Sequence, residues 1–99
     1  MSSELAALEE LKGRCQSIKV CYLDTGVRME PAIDTLQKFI EIAIKRPLIS
    51  EEVDELGEEI ASLRGYLMEI LKKYPEVKRD FKPTIEVCDW LIGPVKTYH

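Results

Sequence analysis

Seven apolar residues, Val53, Leu56, Ile60, Leu63, Leu67, Ile70 and Tyr74, follow one another at spacings of 3, 4, 3, 4, 3 and 4. That is an unbroken heptad seam, and only an α-helix places such residues on one stripe; a strand would need a period of two. A helix over residues 51–74 would be about 36 Å long, at ~1.5 Å per residue. Its ends carry the expected signals. Ser50 is placed to cap it, Glu51, Glu52, Asp54 and Glu55 sit where the helix dipole favours anions, and Lys72 and Lys73 precede Pro75 at the other end. Gly57 and Gly65 interrupt an otherwise strong helix-former and suggest close approach of a neighbouring backbone.

One apolar stripe must be buried against others, and the rest of the chain supplies them. Leu5, Leu8, Leu11, Cys15, Ile18 and Tyr22 share one face of a helix over residues 3–23, with Gly26 as a left-handed stop. Pro31 suits the first turn of a second helix over 31–45, whose inner face is Ile33, Leu36, Phe39, Ile40, Ala43 and Ile44. Pro83 opens a last helix over 83–92, with Ile85, Cys88, Leu91 and Ile92 on one side and Gly93-Pro94 as its stop. Residues 95–99 are expected to fray. Short connectors between long helices make antiparallel neighbours. The expected fold is therefore all-α, an up-down antiparallel bundle of about four helices in one domain spanning 1–99. No internal repeat is evident.

Composition bounds the function. With 14 Lys and Arg against 18 Asp and Glu, the net charge of -4 disfavours general binding to a phosphate backbone. The first residues lack a basic segment followed by an apolar one, and no apolar run approaches the ~18 residues of a membrane span. Three cysteines, Cys15, Cys21 and Cys88, follow no metal-ligand spacing. A soluble, cytoplasmic protein with no membrane contact is expected. The absence of asparagine, with only Gln16 and Gln37 among the amides and abundant Glu and Lys, points towards a heat-adapted source.

No catalytic constellation emerges. The one histidine, His99, is the last residue, a poor position for acid–base work and one expected to face solvent. The acids of 51–59 begin a helix, off its apolar seam, and read as a solvated face rather than a metal site. Arg14, Arg28, Arg64 and Arg79 are too scattered to clamp an anionic substrate. Cys88 could bridge to Cys15 or Cys21 if the last helix packs on the first, but free buried thiols are the simpler expectation. Neither enzyme activity nor a cofactor is expected.

Two surface patches remain. Val87 and Trp90 point away from the buried face of the last helix, and Val20 and Ile42 are likewise off the stripe of their own helices. Surplus apolar surface of this kind, centred on a tryptophan, marks a candidate protein interface. The second patch is basic: Lys72, Lys73, Lys78, Arg79 and Lys82 stand against Glu76 and Asp80, five cations to two acids. The expectation is a non-catalytic protein–protein interaction module, a small accessory or stabilising subunit of a larger assembly. DNA replication or other nucleic-acid machinery is one setting for it. The alternatives are direct nucleic-acid binding through the 72–82 elbow, and self-association as a homodimer.

Overall fold

The heptad seam forms the longest helix of the molecule in a computed structural model that describes residues 3–97, with side chains over 4–93. The order is α1 (Ser3–Cys21), a 3-10 turn (Leu23–Thr25), α2 (Gly26–Lys45), α3 (Ser50–Lys73), a second 3-10 turn (Pro75–Val77) and α4 (Lys78–Thr97). The described residues contain no strand. Each helix brings its backbone close to two neighbours, α1 to α2 and α4, and α3 to α2 and α4, with no such approach between the diagonal pairs among the described residues. The result is an up-down bundle, square in section and 38 Å long. Both 3-10 elbows lie at one end, and the 46–49 connector lies at the other. No helix is long and apolar enough to cross a membrane among the described residues.

The core draws on all four stripes. Leu8, Leu11, Cys15 and Ile18 come from α1, and Met29, Ala32, Leu36, Phe39 and Ile40 from α2. Leu56, Ile60, Leu63 and Leu67 come from α3, and Phe81, Ile85, Cys88 and Leu91 from α4. The seam thins at its ends, where Val53 and Ile70 are half-buried and Tyr74 is exposed.

The ends of the helices depart from the sequence expectation in a consistent way. α2 and α4 each start five residues before the proline that was expected to open them, and α4 runs through Gly93-Pro94 to Thr97 instead of stopping at 92. Met29 and Phe81, both fully buried, lie inside these extra turns, and their burial outweighs the amide each proline removes. The carbonyls left unpaired by Pro31 and Pro83 are those of Val27 and Arg79. Both residues are exposed, so water can serve them. Gly26 is right-handed at φ -55° and ψ -36°, so it begins α2 instead of stopping α1. Ser50 is the first helical residue and not the cap. Ile49 holds the cap position, and the Glu52 carboxylate accepts from its amide at 2.9 Å. Ile44, expected inside, is exposed, because it lies one turn beyond Ile40 in the last turn of α2, where the buried stripe runs out at the end of the bundle. Gly65 faces open space and serves no close approach, whereas Gly57 is buried.

The chain also contains a repeat that the sequence alone did not disclose. Each residue of the first hairpin corresponds to the residue 52 positions later in the second, as Tyr22 does to Tyr74. The elbows coincide in detail. Tyr22 has φ -128° and ψ 83°, and Tyr74 has φ -131° and ψ 77°. The Tyr22 amide donates to the Ile18 carbonyl at 2.7 Å and the Tyr74 amide to that of Ile70 at 2.8 Å. Pro31 and Pro83 are each the sixth residue of their helix. Buried residues also pair, including Leu8 with Ile60, Cys15 with Leu67, Met29 with Phe81, Leu36 with Cys88 and Phe39 with Leu91. The bundle is thus one helical hairpin used twice.

Candidate docking face

The repeat makes two grooves equivalent, one between α1 and α4 and the other between α3 and α2. They are finished differently. In the α2/α3 groove the guanidinium of Arg28 lies 5.3 Å from the centre of the Tyr66 ring and donates to Ser62 Oγ at 3.2 Å. Further along, Lys38 Nζ lies 3.5 Å from Glu55. This groove is filled by its own side chains.

The α1/α4 groove is not filled. The counterparts of Arg28 and Tyr66 are Asp80 and Arg14, and they do not pair with each other: Arg14 turns back along α1 to Glu10 at 2.9 Å, and Asp80 accepts from the Tyr22 hydroxyl at the elbow end alone. That hydrogen bond raises the pKa of the Tyr22 phenol, and the Tyr22 ring stands edge-on to Phe81 at 5.4 Å. What remains is two adjoining concavities that share Glu10, Arg14 and Pro83. The one nearer the elbows, about 440 Å³, is bordered by Gly13, Ser17, Cys21, Tyr22 and Arg79. The other, about 430 Å³, is bordered by Ala6, Ala7, Glu86, Val87 and Trp90. Thr84 lies beneath the first, fully buried, and its hydroxyl has no partner among the described residues.

The structure separates the four residues expected to form one apolar interface. Val87, half-buried, and Trp90, 47% exposed, share the second concavity. Val20 is largely exposed near the elbow end of α1, and half-buried Ile42 lines a different, polar groove on α2 with Lys38 and Glu41. The basic residues Lys72, Lys73, Lys78, Arg79 and Lys82 are all exposed around the second elbow, and no ion pair engages them among the described residues. Arg79 also walls the groove, a second environment beyond the basic patch. The spacing Arg79, Pro83, Glu86, Trp90 signals it, since steps of 4, 3 and 4 put these residues on one stripe of α4.

Of the acids of 51–59, Glu51, Asp54, Glu55 and Glu58 are exposed, and Glu52 and Glu59 are half-buried. Arg46 Nη1 and Nη2 grip the Glu52 carboxylate at 2.8 Å each. That grip, with the Ile49 amide, holds the Glu52 carboxyl down at about 2. Cys15 and Cys88 are buried free thiols, both pushed up to about 12 by that burial, and Cys21 is free and exposed. No bridge joins Cys88 to either of the others. Among the described residues no group of His, Cys, Asp and Glu side chains is placed to hold a metal. His99 lies outside the described residues. Compared with protein-family models, with curated proteins and with solved structures, the chain matches none.

Proposed function

We propose that the protein is a non-catalytic protein–protein interaction module, a small accessory or stabilising subunit that docks in the cytoplasm through its α1/α4 groove. The observation that carries this is the difference between two equivalent grooves. Arg28, Tyr66, Ser62, Lys38 and Glu55 close one, while the other keeps a half-exposed tryptophan in an open concavity with Ala6, Ala7 and Val87. An indole beside a concavity is the surface most often found at the energetic centre of an interface. The groove's cysteine, Cys21, has no hydrogen-bonding partner among the described residues, so no base activates its thiol.

The test is to recover partners on the tagged wild-type chain, on Trp90→Glu and on a control, Ile44→Glu, which alters an exposed site on α2. The expected result is a stoichiometric protein, resistant to nuclease, that is retained by wild type and Ile44→Glu and lost on Trp90→Glu. Recovery of the same proteins on all three would refute docking through this face.

A second reading is favoured by the five cations of the 72–82 elbow, none of which has an ion-pair partner among the described residues. Nucleic acid would be held there as the neighbouring assembly brings it close. Binding of a short duplex should then weaken steeply as salt rises, and should fall with Lys72→Glu or Lys78→Glu. No binding at low salt removes this reading.

A further inference from the structure

We infer that the occupant of the α1/α4 groove is a second copy of this chain, docked antiparallel about a two-fold axis that passes the helices near Pro83. This rests on the docking reading above and names its partner.

The groove is self-complementary along α4. Arg79, Pro83, Glu86 and Trp90 form the stripe that walls the groove. Arg79 and Glu86 are exposed, opposite in charge, and without an ion-pair or hydrogen-bonding partner among the described residues. They are seven residues apart, two helical turns, with Pro83 between them. A two-fold axis perpendicular to α4 at that midpoint carries Arg79 of one copy onto Glu86 of the other, and the reverse, so one operation makes two ion pairs. A parallel arrangement would set like charges side by side.

The same operation places the apolar anchor. Trp90 lies one turn beyond Glu86, so the axis carries it to one turn before Arg79 of the second copy. There the 440 Å³ concavity bordered by Cys21, Tyr22 and Arg79 receives it. Each copy thus offers an indole at one end of its groove and a concavity for an indole at the other. The α2/α3 groove has none of these features: the counterparts of Arg79, Glu86 and Trp90 are Val27, Asp34 and Lys38.

Sedimentation equilibrium on the full chain, from low to high micromolar concentration, tests the inference. The expected mass is twice 11.4 kDa. Trp90→Glu should weaken the dimer at least about 30-fold, as loss of a central anchor does. Trp90 is the only tryptophan, so its emission should shift to the blue as the dimer forms. Arg79→Glu and Glu86→Arg should each weaken association about 10-fold or more, and the double variant should return to near wild type. These are surface positions, so circular dichroism should be unchanged in every variant. A wild-type chain that stays at 11.4 kDa throughout overturns the second copy as occupant. The docking face itself is then judged by the capture experiment with Trp90→Glu. A dimer indifferent to Trp90→Glu, or a double variant no better than the singles, overturns the antiparallel arrangement.

Discussion

The hairpins Ser3–Lys45 and Ser50–Thr97 share a plan but not a surface. At most positions that face the core they keep apolar residues and change only their size, as Met29 for Phe81 or Phe39 for Leu91. Where they face water they change character. Val20, Leu23 and Val27, exposed around the first elbow, correspond to Lys72, Pro75 and Arg79 around the second. Arg28 corresponds to Asp80, and Tyr66 to Arg14. The comparison separates what the fold requires from what it merely carries. Burial and elbow geometry are required, and both hairpins meet them. Groove filling is carried, and it differs.

The most severe test of that equivalence is in the core. Met29 and Phe81 occupy matching sites, each with no exposed surface. Phe81→Ala should cost about 3–5 kcal/mol and Met29→Ala about 2–4 kcal/mol, from lost burial and the cavity left behind. If the hairpins form one cooperative unit, urea unfolding of both variants keeps the wild-type slope and a single transition by every probe. A second transition in either variant would break the comparison, since one hairpin would then be standing without the other.

A smaller effect isolates a place where the hairpins differ inside the core. Ala32 and Thr84 are equivalent and buried, but Thr84 brings a hydroxyl with no partner among the described residues. An unsatisfied buried hydroxyl costs about 1–3 kcal/mol. Thr84→Val keeps the shape and removes that group, so it should raise stability by about 1 kcal/mol. The mirror substitution, Ala32→Thr, should lower it by about 1–3 kcal/mol. By contrast Thr25 carries its hydroxyl at little cost, because it donates to the Tyr22 carbonyl at 2.6 Å, and its counterpart Val77 has none to place. A destabilised Thr84→Val would show that the hydroxyl is satisfied in solution and that the two sites are not alike.

Much of this architecture was legible in the residues. The 53–74 seam set the helix type and the stripes of α1 and α3, because helical periodicity is local and survives any choice of neighbour. The starts of α2 and α4 were not legible. Pro31 and Pro83 are the strongest local signals for a helix beginning, and the burial that overrides them, of Met29 and Phe81, depends on contacts far away in sequence. The repeat was hidden for a related reason. Between the hairpins the matches are scattered single residues such as Leu11 with Leu63 and Gly13 with Gly65, while the elbows read Leu23-Asp24-Thr25 and Pro75-Glu76-Val77. Backbone geometry has been kept with few letters in common. Of the candidate interface, Val87 and Trp90 were found from the helical pattern. Their separation from Val20 and Ile42 could not be, because off-stripe position fixes an outward direction and not a shared side of the bundle.

The smallest expected effect concerns the one part with no counterpart in the repeat, the 46–49 connector that joins the hairpins. Glu52 ties it, accepting from both Arg46 nitrogens and from the Ile49 amide, and its carboxyl is depressed from an ordinary 4.5 to about 2. A carboxyl with a folded pKa below its unfolded one adds stability that is full above the unfolded value and is lost as pH falls through the folded one. The contribution of Glu52 should therefore fade between about pH 4.5 and about pH 2, with neutral pH unaffected. The pair sits at the surface, where solvent and salt screen it, so the effect is ranked below the core substitutions. Unfolding free energies measured across that range should fall less steeply for Glu52→Gln than for wild type. Parallel curves would mean that the connector is not held by this carboxylate, and that packing of α2 on α3 alone sets how the second hairpin follows the first.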